Sequence, residues 1–327
     1  MIAEHFRIRC SALHSILTNI KAPGLTAKQH DEMKDLQDCR DGKLMTPTGK
    51  PATFTANRKE RLAELENEHD NPSPDVLPSG AKTYCDNWLS DFIYGRRSDF
   101  GSKQTEKGTR TEDECIEILR DYLQDPFLPG KNAWRVVGEY MEGECDLRYG
   151  IVWDIKSAYT HATMPLWDTE PIATNRDQLQ GYCELFSAKR AGVAKVLCNM
   201  PDDMILREAY YKVKGAKGPD YTEVHLQKVI DKLTHRYTYD DVPLTMRVHT
   251  ITFDKDPDFV GHVERRVKMC REYITQKFNE LPHDKRDAAA AYVTERMERQ
   301  HRKTIKAINA RANEWRERNL NQPETAQ

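Results

Sequence analysis

The 327-residue chain has no run of the roughly 18 to 20 apolar residues that crossing a bilayer requires, so no membrane-spanning helix is expected. It has no C-x-x-C pair. Its eight cysteines, at 10, 39, 85, 115, 145, 183, 198 and 270, follow neither zinc-module spacing nor that of a disulfide scaffold, and read as buried free thiols in a reducing compartment. The opening MIAEHFRIRC lacks the apolar stretch of a secretory signal, and a cytoplasmic protein is expected. A dominant charge is missing too: 50 Lys and Arg against 52 Asp and Glu leave a formal net charge of −2. Any contact with nucleic acid must therefore rest on local basic surface. There are no internal repeats.

What is present is a long polar surface, with 38% hydrophobic and 31% charged residues, around enough chain for one large domain or two small ones. The apolar pattern from Ile8 to Ile20 predicts a helix. Residues 23–80 turn polar, with two exposed helical stretches, TAKQHDEMKDLQDC and NRKERLAELENEH, and a break at NPSPDVLPSG, as an insertion or arm would. A helix over Lys82–Phe92 precedes a basic loop with Arg96, Arg97, Lys103 and Lys107. Then come a helix over Glu112–Gln124, strands over Ala133–Tyr140, Glu144–Arg148 and Ile151–Ser157, a helix over Arg176–Lys189 and a strand over Val193–Met200. This order, α-β-β-β-α-β, predicts an α/β (α+β) core with a mixed central sheet flanked by helices. A strand over Thr245–Phe253, a helix over Phe259–Phe278 and a long charged helix from Asp284 to about Arg318 complete the chain. The expected divisions are 1–22, a helix joining the core; 23–80, the insertion; 81–280, the core; and 281–327, the long helix and tail.

The most informative stretch is GECDLRYGIVWDIKSAY, residues 143–159. Side chains alternate along a strand, so Ile151, Trp153 and Ile155 face a core while Val152, Asp154 and Lys156 face the other way. Across the RYG turn, Asp146 can meet Asp154. Two carboxylates about 4 Å apart repel by roughly 4 kcal/mol at an effective dielectric of ~20. One lysine offsets part of this; a divalent cation with a preference for oxygen ligands offsets it fully. Alone, D-x-K is more often an ordinary surface ion pair on an edge strand. Three further features bear on it. Glu112 falls within the apolar stripe of its helix, although a first-turn acid in a Thr111/Glu114 capping box reads the same way. Gln178 and Tyr182 share a helix face at i and i+4. The ordered set, a helical carboxylate, a carboxylate on one strand, D-x-K on the next and Q-x-x-x-Y on the following helix, is far rarer than any member.

These residues, in KGTRTEDECIEIL, GECD, WDIKSA and QLQGYCEL, with IRCSAL and AKTYCDNW, resemble the PD-(D/E)xK nuclease superfamily. More narrowly they are similar to its RecB, lambda-exonuclease and YqaJ-like phage-type branch, over roughly residues 82–200. Cys145 stands where the pattern has proline. The resemblance implies a restriction-endonuclease-like core and a metal-dependent deoxyribonuclease. Asp146, Asp154 and the carbonyl of Ile155 would hold Mg²⁺ or Mn²⁺, with Glu112 holding that ion or a second. Lys156 would orient the attacking water or stabilise charge on the phosphate, and Gln178 and Tyr182 would support the site. No iron–sulfur cluster is expected, since the cysteine elements of some relatives are absent.

The resemblance further implies linear double-stranded DNA as substrate, degraded 5′ to 3′ in phage-type recombination, with a single-strand annealing protein as possible partner and a homo-oligomer as possible assembly. Arg9 and Ser11 are candidates for binding a terminal phosphate, and Arg96, Arg97, Lys103 and Lys107 for tracking the DNA backbone. An endonuclease or nickase would share the chemistry. A non-catalytic DNA-binding protein on a nuclease fold is disfavoured because every acidic and lysine position is occupied. In the C-terminal helix, ten Lys and Arg against six Asp and Glu leave four excess positives. A stripe of Ala290, Val293, Met297, Ile305, Ile308, Ala312 and Trp315 is expected to pack on the core.

Overall fold

The computed structural model describes residues 2–18, 27–70, 76–97, 101–164, 166–218 and 221–320. The chain divides into two compact units, residues 1–16 with 80–327, and residues 17–79. The elements, in order, are β1 (Ile8–Arg9), α1 (Leu13–Leu17), α2 (Ala27–Arg40), α3 (Ala56–Asp70), α4 (Ser79–Tyr94), α5 (Lys103–Leu123), β2 (Val136–Val137), β3 (Met141–Gly143), β4 (Leu147–Tyr149), β5 (Ile151–Ser157), α6 (Ala173–Leu185), β6 (Arg190–Val196), α7 (Asp202–Lys217), α8 (Glu223–Tyr237), α9 (Leu244–Arg247), β7 (Val248–Asp254), α10 (Phe259–Asn279) and α11 (His283–Leu320). The fold is mixed α/β. Among the described residues no helix is long and apolar enough to cross a membrane, and all eight cysteines are free and buried.

In the smaller unit α2 and α3 pack together, with Leu62 and Leu65 buried and Arg61 paired to Glu32 at 3.1 Å.

The larger unit is built on a four-stranded sheet of order β4-β5-β6-β7, in which only the β5–β6 pair is parallel. The β4–β5 hairpin turns at Gly150, whose φ of +67° is a left-handed conformation that glycine adopts without a steric penalty. The parallel pair needs a crossover, and α6 supplies it, packing against β5 and β6. On the other face α5 buries Cys115, Ile116 and Leu119 against Leu147, Trp153, Ile155, Ala194 and Val196. Gly192 lies opposite Trp153, and a Cβ there would come within 2.4 Å of the indole ring. Trp153 and Ile155 therefore face the core, as alternation predicts. A second, three-stranded sheet has the order β1-β3-β2.

Several elements differ from expectation. The helix expected from Glu112 starts at Lys103, because Ser102 caps it by accepting from the Thr105 amide at 3.1 Å. Glu112 is thus mid-helix, and the capping-box reading of Thr111/Glu114 is removed. The strand expected over Ala133–Tyr140 shrinks to β2. The one expected over Glu144–Arg148 begins only at Leu147, as β4, and Glu144, Cys145 and Asp146 form the connection between β3 and β4. Ile8–Ile20 is not one helix but β1, a 3₁₀ turn over Cys10–Ala12 and α1. Helices α7 and α8 have no counterpart in the sequence-based assignment. In α11, Val293 is buried and Arg296 donates to the carbonyls of Phe92 (2.5 Å) and Ile93 (3.1 Å), tying its first half to α4. Farther along, Ile305 and Ile308 are exposed rather than packed. Ile20, residues 71–75 of the expected break and the side chain of Trp315 lie outside the described residues.

Candidate active site

The site forms where β5 passes beneath α6. Asp154 points away from the Trp153 face and is 1% exposed. Its Oδ1 accepts from Gln178 Nε2 at 2.9 Å and from Lys156 Nζ at 3.0 Å, and Nζ lies 2.8 Å from Oδ2. No well-directed hydrogen bond reaches Oδ2. We read its short contact to Lys156 as an ion pair whose angle is unsuited to a hydrogen bond. Gln178 Nε2 also donates to Tyr182 Oη at 2.9 Å, so the i, i+4 pair on α6 forms one chain ending on Asp154. Lys156 keeps 38% of its side chain exposed, so its ammonium bridges a buried carboxylate and solvent.

Asp146 enters from the segment before β4. Its Oδ2 accepts from the Ile155 amide at 2.6 Å, and its own amide donates to the Trp153 carbonyl at 3.1 Å. Burial, and then the charge of Asp154, push the Asp146 carboxyl up to about 7. Burial likewise raises Asp154, against the pull of Lys156. For Lys156, burial acts downward but the facing carboxylates, Asp154 foremost, outweigh it, and the net direction is up. Burial and the Asp154 charge raise Tyr182.

The structure thus gathers Asp146, Asp154, Lys156, Gln178 and Tyr182, with the backbone of Ile155 between the carboxylates. Glu112 sits at their margin. Its charge is felt by Asp146, Asp154 and Lys156, but its Oε2 is paired with Lys131 Nζ at 2.7 Å. Among the described residues no group of three or more His, Cys, Asp or Glu side chains is placed to hold a metal ion. What fits a hard cation is the pair: the buried carboxylate of Asp154 and the half-buried one of Asp146, with one ammonium on Asp154 and an Asp154 oxygen short of a donor. A third carboxylate would require Glu112 to part from Lys131.

The expected basic loop needs correction. Arg96 and Arg97 are exposed, and Lys103 is exposed in the first turn of α5. Lys107 is not on the surface at all. It is 0% exposed, and its Nζ donates to the carbonyls of Ala158 (2.7 Å), Cys198 (2.9 Å) and Tyr159 (3.3 Å), just beyond the ends of β5 and β6. Three buried acceptors hold this ammonium inside the protein, where it cannot track DNA. Arg9, Arg96 and Arg97, with Arg7, line a cavity of about 480 Å³ walled by Trp88 and Phe92. Four arginines face two acids there, Asp91 and Glu142. Ser11 is exposed and does not line it.

Sequence reasoning missed Lys131 and Asn132, in the segment joining α5 to β2. The Asn132 amide donates to the Asp146 carbonyl at 2.7 Å, and its Nδ2 donates to the Cys145 carbonyl at 3.0 Å. The available signal was a cation and an amide placed between the helical carboxylate and the charged hairpin.

No protein-family model matches the chain, and no curated protein matches it in sequence. Among solved structures it superposes on a phage-related exonuclease from Haemophilus somnus 129PT with a TM-score of 0.54 and 18% identity, over 85% of this chain and 97% of that one. The fold is that of a phage-related exonuclease. The alkaline exonuclease LHK-Exo from Laribacter hongkongensis gives a TM-score of 0.43 at 11% identity, over 66% of this chain and 89% of that one. Its dAMP complex gives 0.42 at 11% identity, over 65% and 88%.

Proposed function

We propose that the protein is a metal-dependent DNA exonuclease that hydrolyses phosphodiester bonds of linear duplex DNA. The observation that carries this reading is the Asp146–Asp154–Lys156 cluster, buttressed by Gln178 and Tyr182, on a fold shared with a phage-related exonuclease. Asp146, Asp154 and the Ile155 carbonyl would hold Mg²⁺ or Mn²⁺, with Glu112 joining them on release from Lys131. When bound, the ion supplies charge neutralisation at the phosphate and makes water more acidic.

The residues divide the remaining work. The Ile155 amide fixes the rotamer of Asp146, and Gln178 fixes that of Asp154. Lys156, anchored on Asp154 with its head toward solvent, faces the charge that develops on a phosphate as the bond breaks, and orients the attacking water. The arginine cavity fits a phosphate at a strand end, where bidentate guanidinium contacts are strong. Attack from a 5′ end, a place in phage-type recombination, an annealing partner and a homo-oligomer belong to the same proposal.

The deciding experiment compares linear duplex with covalently closed circles, each with Mg²⁺ and with EDTA. Loss of linear DNA alone, in Mg²⁺ alone, is expected. Cutting of circles would replace the exonuclease by an endonuclease, and binding without cutting would overturn catalysis.

A further inference from the structure

Between α5 and β2 lies a segment that carries its aromatic rings outward: Trp134 is 77% exposed and Phe127 is 82% exposed. The segment is held firmly at several points. Arg120 donates to the Leu128 carbonyl at 3.0 and 3.1 Å. Asn132 donates to the carbonyls of Asp146 and Cys145 and, through the same Nδ2, to that of Trp134 at 3.1 Å, while its Oδ1 accepts from the Trp134 amide at 3.3 Å. One asparagine thus ties the backbone of an exposed tryptophan to the backbone of the Asp146 segment. Lys131, next to it, reaches Glu112. An indole left in water gains nothing for the fold, since it buries little apolar surface. An exposed indole on a tethered backbone, three residues from a cation and two from the strap on Asp146, has the elements of single-strand recognition: an aromatic platform for a base and a positive group for the backbone.

We infer that Lys131, Asn132 and Trp134 form a nucleobase subsite at the edge of the catalytic cluster. It takes a base lifted from the duplex stack next to the phosphodiester being cut. Trp134 stacks on that base, Lys131 meets the adjoining phosphate, and Asn132 sets both relative to Asp146. The subsite rests on the nuclease reading above and deepens it, because it asks for an unpaired base at the point of cleavage.

The test is equilibrium binding of the full chain, in EDTA, to a duplex bearing a short single-stranded tail, for wild type, Trp134→Ala, Trp134→Phe and Lys131→Gln. Trp134→Ala is expected to weaken binding by the roughly 5- to 150-fold that one stacked base is worth, with Trp134→Phe close to wild type. The salt slope should be unchanged for Trp134→Ala and shallower by about 0.7 to 0.9 for Lys131→Gln. On the DNA side, an abasic residue at the stacking position should weaken wild type and leave Trp134→Ala unaffected. If the abasic residue weakens both proteins equally, or Trp134→Ala binds like wild type, the subsite is overturned while the nuclease reading stands. Failure of wild type to bind or cut any DNA removes both.

Discussion

The side-chain amide of Gln178 donates to Asp154 Oδ1 and to Tyr182 Oη, each at 2.9 Å, so one group on α6 fixes both a buried carboxylate and a buried phenol. Gln178→Leu removes both donations, leaving two buried groups without them. We expect a loss of about 1–3 kcal/mol in urea denaturation, together with slower DNA cleavage. Adding Tyr182→Phe should recover part of that stability, because one unsatisfied hydroxyl goes with it. Equal stability of wild type and Gln178→Leu would show that the chain of donors carries no weight.

Asp154 and Lys156 should part company in their effects on stability. Asp154→Asn removes a buried charge that repels Asp146, so the unfolding midpoint should hold or rise while cleavage is abolished. Lys156→Met strips the counter-charge from a carboxylate that stays buried. Breaking a fully buried pair costs about 3–5 kcal/mol, but Lys156 is 38% exposed and water screens it, so we expect on the order of 1–2 kcal/mol. Normal Mg²⁺-dependent cleavage by either variant would remove it from the catalytic set.

Divalent ions should stabilise the folded protein even without DNA. At a concentration about 100-fold above its Kd, a bound ion adds ~2.7 kcal/mol, visible as a rise in thermal midpoint with Mg²⁺ or with non-supporting Ca²⁺. Asp146→Asn should abolish the rise. A wild-type midpoint indifferent to both ions would sink the metal assignment.

Lys107 is expected to matter for stability and not for DNA contact. Lys107→Met leaves the carbonyls of Ala158, Tyr159 and Cys198 without their shared donor, and should cost at least about 2 kcal/mol. The salt slope of DNA binding should stay at its wild-type value, whereas Arg96→Gln should lower it by up to about 0.9. A shallower slope for Lys107→Met would return that residue to the binding surface.

These residues also show which parts of the protein are legible in its sequence. The period of two along β5 separates Trp153 and Ile155 from Asp154 and Lys156, and the period of about four on α6 joins Gln178 to Tyr182; both rules are local and both hold in the structure. Glu112 has the right orientation for the wrong helix start, because the polar turns from Lys103 to Thr111 carry no apolar stripe and the cap at Ser102 went unread. Lys107 escaped because residue type favours the surface, while its burial depends on two strand ends more than fifty positions away. Lys131 and Asn132 lie in the connection before the expected strand, and nothing local in the sequence shows that Asn132 would bond to Cys145 and Asp146 or Lys131 to Glu112.

The parallel pairing of β5 with β6 has a consequence for how such a chain can be made. As it leaves the ribosome, Lys156 precedes Gln178, Tyr182 and the whole of β6. Until those arrive, Asp154 has no amide to hold it and its strand has no neighbour on that side. An incomplete chain therefore owns the acidic and basic groups but not the architecture that aims them, and the cluster stays unassembled until more than half of the chain has been made.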